Sequence, residues 1–268
     1  MPLVVCPTPI GNLEDVTFRV LRELAEADVV LCEDTRRTRV LLERHGVSAR
    51  LISFHRHNES SRAGGVLERL EAGERVALAS DAGLPGLNDP GGGLIAAAVA
   101  RGLPVTVLPG PSAVETALVS SGLVGERFVF LGYLPRARQG LERLWEELAS
   151  WPWPAVAFES PRRLPKSLAS LAEAAPERPV AVCRELTKLH EEVVRGPAAE
   201  VAARFAEAPK GEITLVIGGA EERRPEADRQ AVEAVAELVE AGVPRRKAAD
   251  LVARLTGASR NELYRASL

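Results

Sequence analysis

Three runs of four consecutive apolar residues, Leu3-Val4-Val5-Cys6, Val29-Val30-Leu31-Cys32 and Val76-Ala77-Leu78-Ala79, punctuate the first 120 residues. Shorter runs at 51–54 and 105–108 have the same character. Between them apolar positions recur at helical spacing, which predicts helices over 17–27, 35–45, 60–72 and 92–101. Strands that are apolar throughout have no water-facing side. Alternating with amphipathic helices, they imply an α/β fold whose mostly parallel sheet is covered on both faces.

The pattern changes after Gly122. Strands are expected at 128–131, 155–158, 180–183, 191–195 and 213–217, with helices between them at 162–174 and 198–208. Strands outnumber helices here, so a mixed sheet is expected. The chain then reads as an N-terminal α/β domain over 1–122, a mixed α/β domain over 123–220, and a helical tail over 226–268. A charged linker at 221–225 precedes the tail, whose helices are expected at 227–240 and 245–255. Gly242-Val243-Pro244 breaks the first from the second, and Ser259 is placed to cap a last short helix.

Composition narrows the function classes. Hydrophobic residues make up 46% of the 268, enough for ordinary cores. A net charge of −3 excludes a uniformly basic nucleic-acid binder, so any RNA contact must come from a local patch. The three cysteines, Cys6, Cys32 and Cys183, form no CxxC pair, and neither zinc nor a disulfide framework is indicated. They read as small buried hydrophobes. No apolar run has membrane-spanning length, and the chain opens directly into a strand with no charged leader, so a cytoplasmic protein is expected.

In an open α/β sheet the loops at the carboxyl ends of the strands form the ligand crevice. Five loops follow the N-terminal strands: 7–13, 33–36, 55–59, 80–91 and 109–113. Each also reads as ordinary turn and cap chemistry, with Thr35 and Ser112 as simple helix caps. Their occurrence at one end of one sheet gives them weight together. Neither a GxGxxG fingerprint nor a phosphate-binding loop ending in Lys and Ser or Thr is present, which argues against a dinucleotide oxidoreductase and a nucleoside triphosphatase.

These loops carry a resemblance. PTPIGNLED (7–15), EDTRRT (33–38), HNE (57–59), SDAG followed by NDPG (80–91) and PGPSA (109–113) are similar to the ribosomal RNA small subunit methyltransferase I family, of the tetrapyrrole methylase class. So are FLGYLPR (130–136), FESPRRL (158–164), RELTK (184–188), GEITLVIGG (211–219) and the tail from Arg245 onward. The resemblance spans essentially the whole chain. One departure is Leu84, where the family usually has Thr.

The resemblance implies a two-domain fold with S-adenosylmethionine folded into the cleft, a homodimer, and a substrate cytidine in the decoding region of 16S ribosomal RNA within the small subunit. It assigns the cofactor to Pro9, Gly11, Asn12, Ser80, Asp81, Ala82, Gly83, Pro109, Gly110, Ser112 and Ala113 of the first half. From the second half it adds Leu131, Gly132, Phe158, Arg184, Leu186, Thr187, Gly211, Ile213 and Thr214. Glycine and proline loops let backbone approach a ligand closely, and helix N-termini favour its carboxylate.

A ribose hydroxyl is a weak nucleophile, so a base or a cation near the developing alkoxide is expected. Asp34, Glu59, Asp81, Glu185 and Lys188 are candidates. Lys188 is the first choice, as a proton acceptor with a pKa lowered by desolvation or as an electrostatic stabiliser. Arg36 and Arg184 are expected to hold phosphate, or else to pair with Asp34 and Glu185; Asn58 and Glu59 are candidate substrate contacts. His55 and His57 lack a third ligand, so no metal is expected. From 243 onward six basic residues stand against two acidic ones, which suits either an RNA handle or a helical hairpin with a solvated face. The rival readings are a tetrapyrrole or diphthine-type methyltransferase, whose first loop would be richer in glycine, and a non-catalytic RNA-binding module, which would not retain the cofactor.

Overall fold

The computed structural model describes residues 2–220, 226–256, 258 and 260–267, with backbone alone for 226–229 and 262. The linker 221–225 and the expected cap Ser259 lie outside the described residues. The chain forms two compact units, Met1–Gly219 and Ala220–Leu268.

In the first unit β1 (Leu3–Cys6), β2 (Val29–Cys32), β3 (Leu51–Ser53), β4 (Val76–Ala79) and β5 (Val105–Val107) form a parallel sheet in the order β3-β2-β4-β1-β5. The helices that connect these strands are α1 (Phe18–Glu26), α2 (Thr35–Arg44), α3 (Glu59–Glu71) and α4 (Gly92–Ala100). Successive side chains of a strand point to opposite faces. Leu3, Leu31 and Leu78 therefore meet Leu67 and Leu70 of α3 and Leu94 of α4, while Val4, Cys6, Val30 and Ala77 meet Val20 and Leu24 of α1 and Leu42 of α2. Both faces are covered, which is why β1, β2 and β4 are apolar at every position and buried throughout.

The second sheet is mixed. It contains β6 (Val129–Tyr133), β7 (Ala155–Glu159), β8 (Pro179–Arg184), β9 (Glu192–Pro197) and β10 (Ile213–Ile217), in the order β6-β7-β10-β8-β9. Only the β6–β7 pair is parallel, and a bulge interrupts it between Phe130 and Tyr133. α6 (Arg138–Ala149), α7 (Leu164–Ala174) and α8 (Ala198–Arg204) cover one face. α6 is absent from the sequence reading, although Leu141, Trp145 and Leu148 lie at helical spacing and are buried. The other face meets α5 (Ala113–Ser121), whose Val114, Ala117 and Leu118 pack on Val156, Ala181 and Val216. α5 precedes the expected boundary at 122–126, yet it packs on the second sheet and joins the two halves of the unit.

The second unit holds α9 (Glu226–Glu240), α10 (Arg245–Thr256) and α11 (Arg260–Ala266). Val235, Ala248, Ala249, Val252 and Leu263 form its small core. Among the described residues no helix is long and apolar enough to cross a membrane.

Candidate functional site

Loops from both sheets converge on one cavity of about 530 Å³, within the ~300–1,000 Å³ common for ligand sites. It is lined by Glu33 and Asp34 after β2, Asp81, Ala82 and Gly83 after β4, Ser112 and Ala113 at the start of α5, Phe158 in β7, and Gly211, Ile213 and Thr214 at the start of β10. An adjoining cavity of about 310 Å³ adds Pro9, Gly11, Ser80 and Lys188. Thr8 and Gly83 exchange backbone hydrogen bonds of 2.9 Å, which ties the loop after β1 to the loop after β4. Leu84 lines the larger cavity, so this departure from the family motif lies in its wall.

The turn 185–188 after β8 builds the contact between the two halves. Glu185 and Thr187 have φ of 53° and 64°, a left-handed conformation that costs a non-glycine residue about 1–3 kcal/mol and persists where its surroundings over-determine it. Here they do. The Thr187 hydroxyl accepts from the Asn12 amide at 2.9 Å. The Glu185 carboxylate accepts from the Glu212 amide at 2.9 Å and from Lys188 Nζ at 2.9 Å. The turn also presses on two glycines. A Cβ on Gly11 would stand 2.5 Å from Lys188 Cγ and 2.8 Å from the Leu186 carbonyl oxygen, and one on Gly211 (φ 98°) would stand 2.4 Å from Glu185 Cγ.

This geometry favours the electrostatic of the two roles expected for Lys188. Its ammonium bridges Glu185 and Glu212, each at 2.9 Å. Burial pulls its pKa down, but the hydrogen bonds to both carboxylates outweigh that and hold it above the usual lysine value. A lysine fixed in its charged form is no proton acceptor; it remains a cation beside the cavity. The Glu212 amide and Lys188 hold the Glu185 carboxyl below its ordinary value, so Glu185 is likewise spent on the turn.

The wall of the larger cavity is acidic. Glu33, Asp34, Asp81, Asp89, Glu159 and Glu212 face Arg37. Four of these carboxylates are committed, Glu212 to Lys188 as above. Asp34 takes Arg36 in a two-point contact (3.2 and 3.1 Å) and accepts the Arg36 amide, which makes Asp34 rather than Thr35 the cap of α2. Those bonds hold its pKa down. Asp81 accepts the Asp34 amide at 2.9 Å and lies 3.7 Å from Arg37. Glu159 is buried and accepts from Ser160 N, Arg163 Nε and Ser167 Oγ at 2.6–2.7 Å. Asp89 has no hydrogen bond or ion pair among the described residues. Burial first, then the charges of Glu33 and Asp81, push its carboxyl up to about 7, against the opposing pull of Arg56.

Of the remaining expected residues, Ser112 lines the larger cavity and the others lie outside these walls. Asn58 accepts the His55 amide at 2.8 Å and donates to the Ser53 carbonyl. Glu59 accepts the amides of Gly91 and Leu94 at 3.2 Å, pinning the start of α4. Both side chains that were expected at the substrate therefore hold backbone. Arg36 is taken by Asp34, and Arg184 pairs with Glu192 at 3.0 Å rather than with Glu185. Ser112 makes no cap bond; its hydroxyl meets Glu115. Leu131 and Gly132 form the β6 bulge, and Pro109 and Gly110 pass beside Pro7. Leu186 is buried among the residues under α5.

The sequence does not single out Glu33, Asp89, Tyr133 or Glu212 of the cavity wall, although all four sit inside the motifs quoted above. Nothing in those motifs says which side chain faces the cavity. Cys6, Cys32 and Cys183 are buried, and burial raises their thiols, to about 12 for Cys6 and about 11 for Cys183. Among the described residues no group of three or more His, Cys, Asp or Glu side chains is arranged to hold a metal.

In the second unit, Arg246 and Lys247 of the first turn of α10 and Arg260 at the start of α11 border a cavity of about 380 Å³ together with Pro244 and Asp250. Arg246 and Lys247 are exposed and form no ion pair among the described residues.

Residues 2–202 match the family model of tetrapyrrole (corrin/porphyrin) methylases, and residues 226–268 match that of the RsmI C-terminal HTH domain. The chain is similar to the ribosomal RNA small subunit methyltransferase I of Mesorhizobium japonicum, with 44% identity over 98% of this chain and 90% of the relative. It is similar to the protein of that name from Thermotoga maritima, with 43% identity over 82% and 99%. Its fold is similar to that of uroporphyrin-III C-methyltransferase from Thermus thermophilus, solved in complex with S-adenosyl homocysteine. There the TM-score is 0.56 at 18% identity, covering 82% of this chain and 98% of that one.

Proposed function

The chain belongs to the ribosomal RNA small subunit methyltransferase I family, in the tetrapyrrole methylase class, and from that premise we propose that it methylates the 2′-hydroxyl of a cytidine in the decoding region of 16S ribosomal RNA, within the small subunit. S-adenosylmethionine is the methyl donor. Near-full-length identity to curated relatives carries this reading, and the acid-walled cavity between the two sheets supports it.

The residues present fit the donor. Four of the six lining carboxylates are paired with cations, and Glu33 and Asp89, unpaired among the described residues, leave the cavity an acidic side complementary to a sulfonium and an ammonium. Gly83, Ala82, Ala113 and Gly211 let backbone approach closely, and Phe158, Ile213 and Val114 give an apolar wall. These residues would hold the donor, with Thr214 and Ser112 as polar partners. Bound there, S-adenosylmethionine supplies a methyl carbon activated by its sulfonium. The chain's own part is to orient an incoming hydroxyl and exclude water. Lys188 supplies a fixed positive charge in the adjoining cavity, which acts on developing negative charge through its field rather than by contact. In the second unit, Arg246, Lys247 and Arg260 are suited to phosphates of the RNA backbone, where charge rather than sequence is read. The proposal includes the homodimer and the cytoplasmic setting that the family resemblance implies.

The test is incubation with methyl-labelled S-adenosylmethionine and small subunits that lack the modification, followed by digestion of the RNA to nucleosides. Label in 2′-O-methylcytidine is expected. Label in another nucleoside, or in protein, overturns the substrate assignment.

A further inference from the structure

We propose that Asp89 is the proton acceptor of the methyl transfer, placed in a wall shared by the donor cavity and a second cavity that receives the nucleotide. The inference rests on the 2′-hydroxyl reading above. The second cavity, of about 470 Å³, is lined by His55, Arg56, His57 and Asn88 and shares Glu33, Asp34, Asp81 and Asp89 with the larger one. Its unshared side is polar and partly cationic, suited to a phosphate and a base edge. His55 Nδ1 is buried there without a hydrogen-bond partner among the described residues. A donor in one cavity and a ribose in the other would meet at the shared wall.

Two of the four shared carboxylates are occupied, Asp34 by Arg36 and Asp81 by the Asp34 amide and Arg37. Of the other two, Asp89 stands among Glu33 after β2, Asp81 after β4, Arg56 before α3 and Tyr133 at the end of β6. With its carboxyl pushed up to about 7, it holds a proton acceptor matched to neutral conditions, as general-base catalysis requires. Its loop is fixed on both sides. Glu59 binds the amides of Gly91 and Leu94, and Arg56 donates to the Asn88 carbonyl at 3.3 Å. In the step itself, the 2′-oxygen bonds to the methyl carbon as the carbon–sulfur bond breaks and its electron pair stays on sulfur. The hydroxyl proton passes to the Asp89 carboxylate and then to water.

Single-turnover rates on undermethylated small subunits, measured across pH for wild type and Asp89→Asn, test this. The wild-type rate rises with pH and levels above about 7, where Asp89 is ionised. With donor saturating, Asp89→Asn slows transfer by about 10²–10⁴ and loses that rise. Asp89→Glu, which keeps a carboxylate, recovers part of the rate. A separate readout needs no turnover. A carboxyl raised in the folded state makes wild type lose stability as pH rises from about 4 to about 7, so Asp89→Asn melts higher than wild type at about pH 8 and the gap closes toward pH 4.

A wild-type rate in Asp89→Asn at saturating donor, or an unaltered pH profile, overturns the assignment of Asp89 alone. Wild-type protein that places no label on a cytidine 2′-oxygen overturns the functional reading, and this proposal with it.

Discussion

The Asn12 amide donates to the Thr187 hydroxyl across 2.9 Å, linking residues 175 positions apart and fastening the loop after β1 to the turn after β8. Around this bond Gly11 lies against Lys188, Thr187 and Leu186, and Gly211 lies against Glu185. Gly11 thus has no room for a side chain where the two halves meet, and Gly211 has none where the start of β10 meets the turn after β8.

Gly11→Ala tests that closeness. Its Cβ would meet the Leu186 carbonyl oxygen at 2.8 Å, and backbone cannot swing aside as a flexible side chain does. The expected result is a drop of about 1–3 kcal/mol in stability, the usual scale of overpacking, with donor affinity falling at least about tenfold. Thermal unfolding and calorimetric titration measure the two. Wild-type values for both would show that the loop after β1 is free to move away.

Lys188→Ala leaves Glu185 and Glu212 facing each other without their shared cation. Transfer slows by about one to two powers of ten, and Lys188→Arg retains most of the rate. The Glu185 carboxyl, held below its ordinary 4.5 chiefly by the Glu212 amide and then by Lys188, moves upward in the alanine variant. The stabilisation carried by this turn is present above pH 4.5 and is lost as pH falls through the lowered value in the folded state. Carbon-detected NMR titration of Glu185 in the two proteins checks the direction.

Glu159→Ala removes the centre of a buried cluster. Arg163, Ser167 and the Ser160 amide all donate to this carboxylate, whose side chain is 0% exposed. Removing one partner of a buried charged pair leaves the other uncompensated, at about 3–5 kcal/mol. Urea unfolding should show a loss of that size. A change under about 1 kcal/mol would mean that Arg163 finds water on its own.

Replacement of Arg246, Lys247 and Arg260 together by alanine should weaken RNA binding without altering donor affinity. Each lost phosphate contact lowers the slope of log affinity against log salt by about one. Filter binding to small-subunit RNA across a salt series measures that slope. An unchanged slope assigns these residues to a solvated helical face.

Much of the fold was legible because it depends on local pattern. The runs at 3–6, 29–32 and 76–79 mark strands buried on both faces, and the structure places them at the centre of the first sheet. The motifs that resemble the methyltransferase family were equally legible, since their order along the chain is itself the signal. Helix α6 was legible in principle from Leu141, Trp145 and Leu148, but charged residues around them obscured the stripe.

Side-chain partnership was not legible. The sequence places Glu59 in a motif; only the fold brings it to the amides of Gly91 and Leu94 and turns it into an anchor for helix α4. It places Lys188 beside Glu185; only the fold adds Glu212 from another strand and thereby fixes the lysine's charge. It places Asp89 within NDPG, four residues that read as a turn; only the fold surrounds that carboxyl with Glu33, Asp81 and Arg56. Burial and hydrophobic period are properties of neighbouring residues along the chain, so the sequence by itself determined the elements and the family. Ionisation and hydrogen bonding depend on groups that meet across 24 to 175 residues of chain, so the tertiary structure alone decided which side chains are held in place and which remain free to react.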